Sequence, residues 1–495
     1  MGRNKSNFVD LCQGDFGRKT AYTGVAQITT ENVVQVLSDT IGTHNRNRMM
    51  INYLYRYYKG DQPILYREKL VRPEVNNRVV ENHALEVVKF KAGQIYGEPI
   101  QYVCKKKKAD KKINEQVDLL NDYLDEANAD ARNIQLGIYQ SAVGTAYKAI
   151  LREDDWTKDR DLPPFRIFIP YPGDVYIVYS RNTGKAMLSV QILKDEENQQ
   201  YYLCYSSNQY FKIKNGQVTV SGINGFGGIP IVEYPNNHDR LSDVEIAITA
   251  FDAINKYQSD RLNGVEQFVQ AFMKFKNCEI DENEFLKMVK LGAISVKDAG
   301  NGVQSDVDLM TAELNQSESQ VAKDDIYNNM LIVEAMPNRQ SNTGGDTGNA
   351  VYLRNGWDFA ERDAKLVEAF TKEAEKASAR IILSIIRKTS NDIKISTRDF
   401  DVKITRNPTD NMLVKAQALD YLFKNKIHPL IALITCGLFS DPQKVYEMSL
   451  PYLGTVYPEL ANPDAEMQKA QELIKDFSQK SIRNQSATIS STDEE

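Results

Sequence analysis

From Asp243 to Phe275 one apolar stripe repeats at steps of three and four residues, with no proline and Gly264 as its single glycine. Val244, Ile248, Phe251, Ile254, Gln258, Leu262, Val265, Phe268 and Phe272 lie on it. Ser242 and Glu245, three residues apart, supply a capping box at its start. At 1.5 Å per residue the stripe predicts a helix about 50 Å long. That is several times the usual ~11 residues, so the helix has to pack against something equally long.

A second stripe, Phe359, Asp363, Leu366, Phe370, Ala374, Ala377, Ile381 and Ile385, predicts another long helix over 351–388. Its other faces are charged, through Glu361, Arg362, Lys372, Glu373, Glu375 and Lys376. Between the two helices, residues 277–333 carry eleven Asp and Glu against four Lys, a formal −7 that accounts for the whole chain's −6. Residues 338–349 are polar, small and glycine-rich, the composition of a mobile loop.

Elsewhere helices and strands alternate. Residues 1–60 read as helical and tyrosine-rich. Asn76 to Asn82 reads as a helix start, the helix running to Tyr96 and stopping at Gly97-Glu98-Pro99. Ile100 to Cys104 reads as a strand, Lys105 to Lys108 as a solvated basic loop, and 113–145 as a helix pair. From Ala146 to Gly222 the period is two, with turns at Asn182-Thr183-Gly184 and at Asn215-Gly216. Ile393 to Ile395 and Phe400 to Ile404 read as strands, 410–448 as helical with Pro429 opening one helix, and the end from Gln479 as disordered. The fold class expected is α+β, predominantly helical.

Composition then excludes function classes. The chain has 495 residues, 42% hydrophobic and 26% charged, the balance of a globular protein of roughly two to four domains. No apolar run approaches the ~18 residues of a membrane helix, and the start lacks a signal-peptide core, so a cytosolic chain with no membrane contact is expected. A net charge of −6 draws no nucleic acid globally. Cys12, Cys104, Cys204, Cys278 and Cys436 are scattered and read as reduced structural thiols.

Catalytic constellations are missing from the sequence. There is no Walker loop, and Gly222 to Gly228 lacks dinucleotide-loop spacing and runs into Ile229-Pro230, so it reads as a turn before a strand. His44, His83, His238 and His428 are isolated from one another. The pairs Asp324-Asp325 and Glu196-Glu197 read as solvated, although a two-metal nuclease built on carboxylates is the enzyme alternative. The reading is a structural protein with no catalytic residue, metal or cofactor.

Four stretches carry a resemblance. They are Asn76-Asn77-Arg78-Val79 through Ile95-Tyr96-Gly97-Glu98-Pro99-Ile100; Gly228-Ile229-Pro230-Ile231-Val232-Glu233-Tyr234; Ser242-Asp243-Val244-Glu245 with Ser259-Asp260-Arg261; and Gly348-Asn349-Ala350. In this order the chain resembles the portal proteins of tailed double-stranded-DNA bacteriophages, of the type found in long-tailed phages of Gram-positive hosts. The family usually has Ser-Gly-x-Ala at the last site, where this chain has Thr347-Gly348-Asn349-Ala350.

The resemblance implies a homododecameric ring at one capsid vertex, in the virion and assembled in the host cytoplasm. It implies a wing over 1–240 joined by strands of 390–407, a stem helix over 241–276, a clip over 277–316 and a second stem helix over 317–333. A tunnel loop over 334–350, a long wing helix over 351–389, a helical crown over 408–478 and a disordered tail over 479–495 complete it. Double-stranded DNA would pass through the channel for packaging and ejection. Terminase large subunit, then a head-tail adaptor protein and tail, would dock on the clip, with scaffolding and major capsid proteins as assembly partners.

On this reading Asn338, Arg339, Gln340, Ser341, Asn342, Thr343 and Asn349 face DNA from the tunnel loop. Asp298, Asp306 and Asp308 form an acidic clip along which a polyanion slides. Phe251, Leu262, Val265, Phe268 and Phe272 pack between subunits along the stem. A coiled-coil dimeric scaffold remains the other alternative, and the acidic segment also fits a solvated face.

Overall fold

The computed structural model describes residues 16–70, 73–105, 111–154, 156–157, 162–269, 272–276, 283, 286–287, 306–310, 316–338, 356–406, 412–425, 427–439 and 442–456. The N-terminal part is strand before helix: β1 (Ala21–Thr23) precedes α1 (Val33–Tyr58), which corrects the reading of 1–60 as helical where it is described. Next comes α2 (His83–Tyr96), whose first turn is capped by Asn82 accepting from the Leu85 N–H. The preceding asparagines are not helical.

Strand β2 (Gln101–Cys104) and helices α3 (Lys111–Glu126) and α4 (Ala129–Val143) lead into a run of strands. These are β3 (Thr145–Arg152), β4 (Phe165–Phe168), β5 (Val175–Ser180), β6 (Ala186–Lys194), β7 (Gln200–Tyr205), β8 (Gln209–Lys214), β9 (Gln217–Ile223) and β10 (Ile231–Pro235). One sheet has six strands in the order β1-β5-β6-β7-β8-β9, antiparallel except where β1 joins β5 in parallel. A second has the order β10-β3-β4. The Asn215-Gly216 turn has φ of 52° and 73°, the left-handed pair that a two-residue hairpin requires.

The long helix α5 (Asp243–Val269) starts where its capping box predicts. Ser242 Oγ accepts from the Val244 N–H at 3.0 Å and Glu245 returns a carboxylate to the Ser242 N–H at 3.0 Å. It ends earlier than the stripe suggests. Phe272 to Lys276 is strand β11, paired antiparallel with β12 (Asp306–Met310). The segment Phe272-Met273-Lys274-Phe275-Lys276 also satisfies a two-residue alternation, and cross-strand pairing decides between the periods.

Helix α6 (Gln316–Val333) packs along α5. The second long helix, α7, is Trp357–Thr389; the expected start at Val351 lies outside the described residues. Its N-terminal half turns a different face inward from the predicted one. Ala360, Ala364 and Thr371 are buried, while Phe359 and Leu366 are exposed. Beyond it Phe400–Lys403 forms β13, antiparallel to β2. Ile393 to Ile395 is not a strand, and the Lys394 N–H goes to the Gln116 side chain at 2.7 Å.

Helices α8 (Met412–Lys424), α9 (Pro429–Cys436) and α10 (Pro442–Val456) follow, with Pro429 in the first turn of α9. Among the described residues four apolar clusters hold these layers, the smallest joining the two sheets through Tyr147, Ala149, Val175, Ile177 and Ile231. The first joins α3, the β10-β3-β4 sheet and α7; the second joins α1, α2 and the near ends of α5 and α6; the third seats α1 on the six-stranded sheet. No described helix is long and apolar enough to cross a membrane.

Candidate functional site

The two elements flanking residues 339–355 meet at one place. At the end of α6 the chain turns through Ala335, at φ 49°, and the Met336 N–H reaches back to the Leu331 carbonyl at 2.8 Å. This is a Schellman-type stop. It drops the Met336 side chain into the core with Met330, Leu331, Val244 and Phe251. On the return side Gly356, at φ 84°, opens α7. A Cβ added at Gly356 would lie 3.9 Å from both the Met336 carbonyl oxygen and the Pro337 Cα. The flanks of residues 339–355 therefore lie side by side.

Of the predicted loop residues, Asn338 is described, and its amide donates to the Asn328 side chain at 3.0 Å. Arg339, Gln340, Ser341, Asn342, Thr343 and Asn349 lie outside the described residues, as does Asp298. Asp306 and Asp308 are on β12, in register with Lys276 and Lys274.

The predicted stripe on α5 divides. Phe251 is fully buried beside Tyr57, ring centroids 6.2 Å apart, so it belongs to this chain's own core and is corrected as an inter-subunit contact. Phe272 opens β11 in register with Met310, and its side chain lies outside the described residues. Phe268 is helical, but its side chain lies outside the described residues. Leu262 and Val265 are 40% and 46% exposed. Val321 on α6 is 67% exposed, and Phe359 and Leu366 on α7 are 62% and 68% exposed. Among the described residues these large apolar side chains keep much of their surface open.

A polar ladder on α5, which apolar counting misses, holds the extended segment before α2. Asn255, Ser259 and Asn263 are spaced by four and buried. They accept from the backbone N–H groups of Glu81 at 2.8 Å, Val79 at 2.9 Å and Asn77 at 2.7 Å. Four helical residues rise about 6 Å and two extended residues about 6.6 Å, so the two periods stay in step over three rungs. Each bond satisfies a backbone donor whose loss would cost about 1–3 kcal/mol. The signal was present as an i, i+4, i+8 series of small polar residues.

Below the loop base four charged residues meet. Lys91 Nζ on α2 is 2.6 Å from Asp363 Oδ2 on α7 and 3.9 Å from Glu334 Oε2 just beyond α6. Asp243, in the first turn of α5, accepts from Ser141 and Asn236. Burial, then the Asp243 and Asp363 charges, hold Glu334 well above the ordinary carboxyl range despite Lys91. Burial works against the Lys91 charge, but Asp243 and Asp363 beside it hold Lys91 above its usual value. Asp363 alone was visible in sequence, as a charge set in an apolar stripe.

Among the described residues no group of three His, Cys, Asp or Glu is placed to hold a metal. Cys104, Cys204 and Cys436 are free thiols, and burial pushes Cys204 up to about 12. The arrangement is one of packing faces and buried polar joints around a loop base.

The family model described as "Phage portal protein, SPP1 Gp6-like" matches residues 37–480. The chain is also similar to the portal protein of Bacillus phage SPP1, at 21% identity over 434 residues, which cover 81% of this chain and 78% of that protein. Neither match supports a nuclease or a dimeric scaffold.

Proposed function

Because the chain belongs to the SPP1 Gp6-like phage portal proteins, we propose that twelve copies close into a ring at one capsid vertex, around a channel for double-stranded DNA. The observation that supports the ring is a set of exposed large apolar side chains on three helices. Leu262, Val265, Val321, Phe359 and Leu366 lie on three helices and are large, apolar and exposed. Exposed large apolar side chains of this kind suit cover by a neighbouring subunit. Head-to-tail contacts between unlike faces close into a ring when the rotation allows, which a two-fold dimer does not need.

In this reading α5 and α6 are the stem, β11 and β12 begin and end the clip, and α7 joins the loop base to the wing. The terminase large subunit and then the adaptor and tail dock on the clip, and scaffolding and capsid proteins surround the wing. Residues 338–349 face the duplex with small polar side chains and Arg339, making sequence-blind phosphate contacts. The acidic 277–333 segment keeps a polyanion sliding, since a basic collar would hold it through counterion release.

Negative-stain imaging of the purified chain tests the ring. Closed rings with a central hole are expected, and a stable monomer or dimer at micromolar concentration would overturn the reading. A second prediction concerns the loop. Because its flanks touch at Gly356 and Met336, deleting 339–346 leaves the base intact. Rings should form as before, while DNA packaging or retention falls; normal genome content in the deletion would remove the loop from the channel.

A further inference from the structure

Three carboxyl groups share one lysine beneath the loop base, and they do not share it equally. Asp243 is satisfied without it, through Ser141 and Asn236. Asp363 takes the lysine at 2.6 Å, and its side chain is 35% accessible to water. Glu334 is left over. Its side chain is wholly inaccessible, neither carboxyl oxygen has a hydrogen-bond partner among the described residues, and the lysine stands at 3.9 Å. A buried carboxyl without a partner is expensive, so its retention calls for a second arrangement in which it is satisfied.

The second arrangement is close at hand. Lys91 Nζ has to move by little more than an ångström to exchange Asp363 for Glu334. The two acceptors flank residues 339–355: Glu334 follows α6 and Asp363 lies in the second turn of α7. Any displacement of one helix end against the other changes which acceptor is nearer. We propose that Lys91 is a two-position latch at the loop base, paired with Asp363 in the state described and with Glu334 when the end of α6 shifts against α7. Its use during DNA passage rests on the function proposed above; the latch itself rests on these four residues alone.

The protons balance. In the first state Glu334 holds a proton, kept there by burial and by Asp243 and Asp363. On switching, that proton leaves to solvent and the Glu334 carboxylate takes the lysine. Asp363, partly exposed, remains a solvated carboxylate. Among the described residues Lys91, Asp243 and Asp363 are the charged groups that act on Glu334, and they come from α2, α5 and α7.

Thermal unfolding of the full-length chain at about pH 5 and about pH 8 tests it. A Glu334 held above its ordinary value destabilises the fold as pH rises, because the unfolded chain ionises first. Glu334→Gln removes that loss, so its Tm should exceed the unaltered chain's by roughly 2–5 °C near pH 8, with little gain near pH 5. In an Asp363→Asn background Lys91 is released to Glu334, and the same Glu334→Gln change should now lower Tm near pH 8. That reversal of sign is the signature of the latch.

An equal Glu334→Gln effect in both backgrounds would overturn it. Should Asp363→Asn fail to fold, Lys91→Met is the second measurement. The Glu334→Gln gain should grow without the lysine, and an unchanged gain would show that Lys91 never serves Glu334. The readout is taken on the folded chain, so it stands whether or not rings form.

Discussion

Subunits carrying Leu262→Asp and Val265→Asp should stay folded and remain monomeric where the unaltered chain closes into rings. Both side chains are already 40% and 46% exposed in the single chain, so charge there costs the fold little, within about 0.5 kcal/mol. At a closed seam the same two carboxylates lose their water and gain no partner. An uncompensated buried charge costs about 3–5 kcal/mol, and at 1.4 kcal/mol per tenfold that weakens each contact by roughly a hundredfold to several thousandfold. Every subunit carries the change, so every seam in the ring is affected. Light scattering at micromolar concentration, with circular dichroism to confirm the fold, reads the result. Rings of normal size from the double variant would place the seam elsewhere.

Sequence alone located the elements that local chemistry dictates. The capping box at Ser242 and Glu245, the hairpin at Asn215-Gly216, and Pro429 opening α9 each rest on one or two residues whose backbone needs are specific. Errors arose where two periods fit the same letters. Phe272 to Lys276 continues a helical stripe and also alternates, and the distant strand Asp306–Met310 settles it. Ile393 to Ile395 alternates too, but it forms no strand, and the Lys394 N–H goes to the Gln116 side chain.

The face of α7 was misjudged for a different reason. Phe359 and Leu366 are large apolar residues of its first half, and hydrophobicity alone turns them inward. The chain instead packs Ala360, Ala364 and Thr371 there, because helices and sheets can approach closely over small side chains. The polar joints were the least legible. Asn255, Ser259 and Asn263 mean nothing until an extended segment lies beside them, and Lys91 and Glu334 are 243 residues apart in sequence (334 − 91).

A Lys148→Met substitution should cost about 3–5 kcal/mol of stability, the largest loss expected from any one residue discussed. Lys148 on β3 and Glu375 in the middle of α7 are 2% and 3% exposed and form a direct ion pair. Glu375 also accepts from the Tyr102 hydroxyl at 2.9 Å, and the Lys148 ammonium lies 4.8 Å from the Tyr234 ring centre. Without Lys148 the Glu375 carboxylate stays buried with one neutral donor. The pair replaced as a whole behaves differently. Lys148→Met with Glu375→Leu removes both charges, and only the Tyr102 hydroxyl is left without its acceptor, at about 1–3 kcal/mol. Measured by denaturant unfolding in the monomeric Leu262→Asp, Val265→Asp background, which separates unfolding from disassembly, the double change should recover much of the loss. A double variant as unstable as Lys148→Met alone would mean that these residues support the fold by packing, and not by charge. If the recovery is seen, α7 is held to the β10-β3-β4 sheet by an ion pair at its middle. Movement at the loop base, 12 residues earlier at Asp363 (375 − 363), then has a fixed point to pivot on.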